Sequence, residues 1–122
     1  MDTVSVKIPA SPQYLQVVRL IAAGLASRLK FTIDDIEDLK IGVDELATYL
    51  IGTDGREGTL EITFAIVDNR IEIHGTGLLA PGQKVRSTLT EFSRQILDTV
   101  VDEAALIGDG THSFRLVKSK SS

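Results

Sequence analysis

The residues best suited to chemistry lie in one run, Asp38-Leu-Lys-Ile-Gly-Val-Asp-Glu-Leu-Ala-Thr-Tyr49. On a helix turning about 100° per residue, Glu45 stands roughly 140° from the centre of the neighbouring apolar stripe, with Ile41 and Tyr49 one turn away on its own side. Neither Ile41 nor Tyr49 is a cation, so no i,i+4 salt bridge accounts for the carboxylate. A carboxylate held in this way is either a solvated surface group or a general base aimed by its helix. Much other chemistry is excluded. The chain has no cysteine, which removes disulfides, thiolate zinc sites and cysteine nucleophiles. Two histidines, His74 and His112, are too few for a histidine-rich metal site, and no metal ligand set is expected. A formal charge of −4 argues against direct binding of nucleic acid, which calls for a basic field.

The elements that must position Glu45 follow from the hydrophobic pattern. Thr3 to Pro9 alternates, with Val4, Val6 and Ile8 on one side, and predicts a half-buried strand that Pro9 ends. Ser11-Pro12 opens a helix whose core stripe is Tyr14, Val18, Ile21, Leu25 and Leu29. A second strip of Val17, Leu20, Ala23 and Gly24 lies off that stripe, flanked by Arg19 and Arg28. It is either covered by the chain's own loops or offered to a partner. Thr32 to Asp35 caps the next helix, which carries Ile36, Leu39, Val43, Leu46 and Leu50 inward and Glu45 outward. Residues 53–58 form a loop. A hairpin over 59–74 follows, with Asp68-Asn69 as its turn, Ile66 opposite Ile71 and Phe64 opposite Ile73. From Gly75 to Ser87 the alternation dissolves and predicts a loop holding Lys84 and Arg86. A third helix is expected from the Thr88 capping box through Leu89, Phe92, Ile96, Val100 and Ala104. A turn at Gly108-Asp-Gly110 then leads to a last strand containing Phe114 and Leu116.

The order strand, helix, helix, hairpin, helix, strand predicts an α+β two-layer sandwich. Its sheet has four mostly antiparallel strands, with three main helices on one face. One domain is expected over residues 1–118, followed by a polar, frayed tail at 119–122. With 43% hydrophobic and 25% charged residues the composition is that of a soluble globular domain. No apolar run approaches the ~20 residues of a membrane span, and no signal-peptide pattern opens the chain. No membrane association is expected, and a cytoplasmic location is.

The segment around Glu45 resembles the anti-sigma-factor serine kinases, a branch of the histidine-kinase-like (Bergerat or GHKL) ATPases. The likeness runs over nearly the whole chain. It includes the opening strand and proline, Val18-Arg19-Leu20 followed by Ser27-Arg28-Leu29, Val43 followed by Asp44-Glu45 and Thr48-Tyr49, and the closing Phe114-Arg-Leu-Val-Lys118. The resemblance implies a Bergerat-type fold with Glu45 as a vestigial general base for phosphoryl transfer. In active members an asparagine that holds magnesium stands where this chain has Tyr49, and a neutral phenol is a poor ligand for a hard cation. The family's adenine-binding Asp-x-Gly-x-Gly turn corresponds to Ile73-His-Gly-Thr-Gly77. Aligned by its glycines Ile73 replaces the aspartate; shifted by two, Gly75 does. The resemblance thus assigns Tyr49, Gly75, Gly77, Gly110 and Thr111 to a degenerate nucleotide site. The glycine-rich lid before the third helix is missing as well.

A hydrogen bond to a charged group is worth about 1.5–3 kcal/mol. Losing the adenine aspartate and the metal ligand therefore costs roughly 3–6 kcal/mol, or some two to four orders of magnitude in affinity. The resemblance then implies an anti-sigma-type regulator that works by protein–protein binding, with ATP and magnesium retained only if the degraded site still functions. Its partners would be a sigma factor, an anti-anti-sigma protein, or both, met through Val17, Arg19, Leu20, Gly24 and Arg28, and a homodimer is implied too. Two alternatives stand beside it: an active ATP-dependent serine kinase of an anti-anti-sigma protein, and an unrelated α+β structural module.

Overall fold

Among the described residues, five strands and three α-helices build the fold. The computed structural model describes residues 2–83, 85–86, 88–107 and 112–121. The first strand, β1 (Asp2–Pro9), leads through a single 3-10 turn at Pro12–Tyr14 into α1 (Leu15–Arg28). Next come α2 (Ile33–Ile51), β2 (Gly58–Val67), β3 (Arg70–Leu79), α3 (Glu91–Val100), β4 (Glu103–Ile107) and β5 (His112–Ser119). Every strand pairing is antiparallel, in the order β1-β2-β3-β5-β4. The helices pack on one face, where Leu60, Ile62, Phe64, Ile71, Ile73, Phe114 and Leu116 meet Leu39, Val43, Leu46 and Leu50 of α2.

The hairpin matches its pattern. Asp68 takes a positive φ of 54°, Val67 pairs with Arg70, Ile66 with Ile71 and Phe64 with Ile73. The second helix also starts where its cap predicts, because the Thr32 hydroxyl accepts the Asp35 N–H at 3.1 Å.

Four expectations are corrected. The sheet has five strands, not four, because the third helix ends at Val100 and Ala104 lies in β4, opposite Leu116. Thr99, Val100 and Val101 are β-branched and favour extended backbone, and Asp102 donates its N–H to the Val117 carbonyl, which zips the chain onto β5. That helix also starts later than expected: its N-cap is Thr90, whose hydroxyl accepts the Ser93 N–H at 3.1 Å, rather than Thr88.

The supposed loop from Gly75 is strand through Leu79. Gly75 pairs with Ile62 and Phe114, and Gly77 with Leu60 and His112. The reason is steric. A Cβ on Gly75 would lie 2.2 Å from the Phe114 ring, so this glycine makes room for an aromatic side chain and signals no turn. Finally, α1 is rotated relative to its predicted stripe. Leu15, Val18, Ala22 and Ala26 are its buried residues, with Ile21, Leu25 and Leu29 at the margin and Tyr14 exposed. Small alanines on that face allow the helix to sit close to its neighbours, which a count of large side chains does not anticipate.

Opposite the start of α2, Lys118 projects from the helix-covered face of β5. Its ammonium donates to the Val100 carbonyl at 2.9 Å and lies 3.6 Å from Asp35 and 3.8 Å from Asp38. The backbone N–H groups of residues 119–121 each donate a hydrogen bond: Ser119 to Asp102, Lys120 to the Asn69 carbonyl, and Ser121 to Asp35.

Candidate functional site

Glu45 and Tyr49 occupy successive turns of α2 on the side facing the start of α3. The phenol is the hub of a relay. Its oxygen accepts the Thr90 N–H at 2.9 Å and donates to Ser93 Oγ at 2.8 Å, with Thr90 Oγ1 at 3.2 Å. Ser93 Oγ in turn donates to Glu45 Oε2 at 2.6 Å. The backbone N–H at the α3 N-cap thus connects through a phenol and a serine hydroxyl to one carboxylate. Burial pushes the Tyr49 phenol up, but its hydrogen bonds with Ser93 and Thr90 outweigh that and leave it below the ordinary tyrosine range.

Beside this relay lies an open cleft of about 390 Å³, lined by Glu45, Thr48, Tyr49, Thr90 and Ser93 together with Gly52, Thr53, Arg56 and Arg86. Arg56 Nε donates to the Leu50 carbonyl at 2.9 Å, satisfying an acceptor at the end of α2, and the helix turns out of its axis at Gly52, whose φ is +73°. Glu45 is the one carboxylate among the residues lining the cleft, and its Oε2 is engaged by Ser93. Among the described residues no group of three or more His, Cys, Asp or Glu could hold a metal ion. The position where the family resemblance calls for a magnesium ligand holds a phenol already bonded to α3. A neutral phenol engaged in this way is a poor ligand for a hard cation such as magnesium.

The fold brings Tyr49, assigned by the resemblance to a degenerate nucleotide site, together with Glu45, assigned as the vestigial base, through Ser93. Gly75 and Gly77 lie in β3 among its pairing partners and do not line the cleft. Gly110 and Thr111, like Lys84, lie outside the described residues. On α1, Leu20 is 62% exposed and Val17 40%, Gly24 faces open space, and Arg28 is exposed. Arg19 is not free: its Nε meets both carboxylate oxygens of Asp44 at 2.9 Å, and its Nη1 donates to Gln16. It ties α1 to α2. Thr90, Ser93 and Arg56 were not found by sequence reasoning. Thr90 and Ser93 are separated from Tyr49 by more than forty residues, and Arg56 lies in the loop of residues 53–58. No local signal marks any of the three.

Curated relatives match part of the chain. Serine-protein kinase RsbW of Bacillus velezensis is 41% identical over 76 residues, 60% of this chain and 48% of the relative. The RsbW proteins of Bacillus pumilus and Bacillus subtilis are 38% identical over 78 residues and 37% over 75. The chain spans about half the length of the curated relatives it matches. A crystal structure of the RsbU and RsbW domains of a Mycobacterium tuberculosis protein superposes with a TM-score of 0.71, covering 98% of this chain and 32% of that one at 16% identity. That likeness carries the fold, an α+β sandwich shared with an RsbW-containing chain. No family model matches the chain.

Proposed function

Starting from a chain similar to RsbW serine-protein kinases over three fifths of its length, we propose an anti-sigma-type regulatory protein that acts by protein–protein binding, with ATP binding weak or lost. The observation that carries this reading is the Tyr49 relay. The side chain standing in the metal ligand's place is hydrogen-bonded to Thr90 and Ser93, and the would-be base Glu45 accepts from Ser93 instead of facing an acceptor hydroxyl. The partner is a sigma factor or an anti-anti-sigma protein. It is met on the outer side of α1, where Val17, Leu20 and Gly24 form an apolar strip beside Arg28. Arginine there supplies forked donors for acidic groups of the partner. Arg19 contributes by holding the helix against Asp44 rather than by direct contact. No described helix is long and apolar enough to cross a membrane.

Calorimetry with magnesium–ATP tests the nucleotide half of the reading. No saturable binding is expected at micromolar concentration, and Tyr49→Asn alone does not restore it, because Ile73 and Gly75 still supply no carboxylate for adenine. Micromolar binding by the native chain, or phosphorylation of an anti-anti-sigma protein, would show the kinase alternative to be correct. Pull-down of a sigma factor or its antagonist tests the other half.

A further inference from the structure

The cleft beside Tyr49 carries an excess of positive charge, and that charge is arranged for use. Two guanidinium groups, Arg56 and Arg86, line it against one carboxylate, Glu45, which accepts a hydrogen bond from Ser93. Arg56 is anchored along one edge by its Nε bond to the Leu50 carbonyl, and its Nη1 and Nη2 have no hydrogen-bond partner among the described residues. An arginine held at Nε has already lost most of its rotamer freedom, so its outer fork meets an oxyanion with little further ordering. Arg86 is exposed at the rim and makes no hydrogen bond or ion pair among the described residues. Thr53, next to Gly52 in the chain, adds a hydroxyl to the same lining. Capping of α2 explains the Nε bond of Arg56, but it explains neither the unused fork nor a second arginine on the same cleft.

We propose that this cleft binds a small phosphate-type oxyanion directly on Arg56 and Arg86, without a divalent metal. A nucleotide's triphosphate needs magnesium where the protein offers carboxylate and amide oxygens. Here the positive charge is supplied by the protein, and the cleft volume of about 390 Å³ suits an anion with a small organic body. The anion is held on the two guanidinium groups, and the Glu45 carboxylate, which lines the same cleft, repels it from its own oxygens. The proposal rests on the reading that the magnesium–nucleotide site is lost, and it names what the remaining cavity takes.

The test uses the full chain carrying Tyr14→Phe, which leaves Tyr49 as the one tyrosine, with its fluorescence followed on titration with inorganic phosphate in the presence of EDTA. A saturable change is expected, absent with chloride at matched ionic strength, and weakened about tenfold or more in Arg86→Gln, since loss of a charge-assisted hydrogen bond costs at least that factor. The melting temperature of Arg86→Gln should equal that of the parent, because Arg86 is exposed. O-phosphoserine serves as a second probe: binding tighter than that of phosphate assigns the ligand to a monoester, equal binding assigns it to free phosphate, and either supports the site. No saturable change up to about 10 mM phosphate, an affinity too weak to matter in a cell, overturns the proposal. So does a change that persists unaltered in Arg86→Gln or that requires magnesium. If Arg86→Gln fails to fold, Arg56→Lys, which keeps the charge but loses the fork, replaces it under the same criteria. Magnesium-dependent nucleotide binding would sink the functional reading itself, whereas failure of phosphate alone to bind leaves that reading intact.

Discussion

Replacing Tyr49 by phenylalanine removes one oxygen and should weaken the junction between α2 and α3 far more than an ordinary tyrosine deletion. The phenol makes one accepting bond, from the Thr90 N–H at 2.9 Å, and one donating bond, to Ser93 Oγ at 2.8 Å; the 3.2 Å approach to Thr90 Oγ1 competes for the same proton. Two bonds are therefore lost, each worth about 1 kcal/mol, and the Thr90 N–H is left part-buried at the start of α3, which raises the cost to about 2–3 kcal/mol. For a domain of this size that lowers the melting temperature by roughly 6–12 °C. Thermal and urea unfolding followed by circular dichroism measure the loss, with the exposed Tyr14→Phe as control. A double-mutant cycle with Ser93→Ala tests the relay itself. Because Ser93 links Tyr49 to Glu45, the two losses should fall short of additivity by about 0.5 kcal/mol or more. A Tyr49→Phe loss below about 0.5 kcal/mol, or strict additivity with Ser93→Ala, would refute the relay as a structural bond between the helices.

Three further outcomes are expected. Gly75→Ala places a Cβ 2.2 Å from the Phe114 ring and should destabilise by about 1–3 kcal/mol, with partial recovery when Phe114→Leu is added; equal unfolding midpoints for Gly75→Ala and the parent would contradict the close approach. The Asp35 carboxyl is held below the ordinary aspartate range by the Ser121 hydroxyl and backbone N–H and by Lys118, against the opposing effect of burial. Its contribution to stability is therefore present above the unfolded value of about 3.9 and is lost as pH falls through the lower folded value, so urea midpoints measured from pH 5 downward should fall less steeply in Asp35→Asn. Leu20→Asp combined with Arg28→Glu should abolish partner capture while shifting stability by no more than about 0.5 kcal/mol, and an unfolded double variant would place the α1 strip in the core instead.

Period and local capping determined much of this protein without tertiary information. The 3.6-residue repeat of Leu39, Val43, Leu46 and Leu50, with Thr32 as a cap, located α2 and set Glu45 and Tyr49 on its polar side. The two-residue alternation around Asp68-Asn69 set the hairpin and its register, because a slip of one residue would turn Ile66, Phe64, Ile71 and Ile73 away from the core. These features depend on neighbours within a few residues. What depended on distant neighbours was decided only by the fold. Gly75 reads as a turn until Phe114 is laid over it, and the stretch from Val101 to Ala104 reads as helix until β5 offers a pairing edge. Arg19 reads as a free partner contact until Asp44 meets it across the helix interface. The site divides the same way. Sequence placed Glu45 and Tyr49 on one helix face, but their relay to Thr90 and Ser93, and the cleft they share with Arg56 and Arg86, exist only because packing brings α3 and two loops against α2.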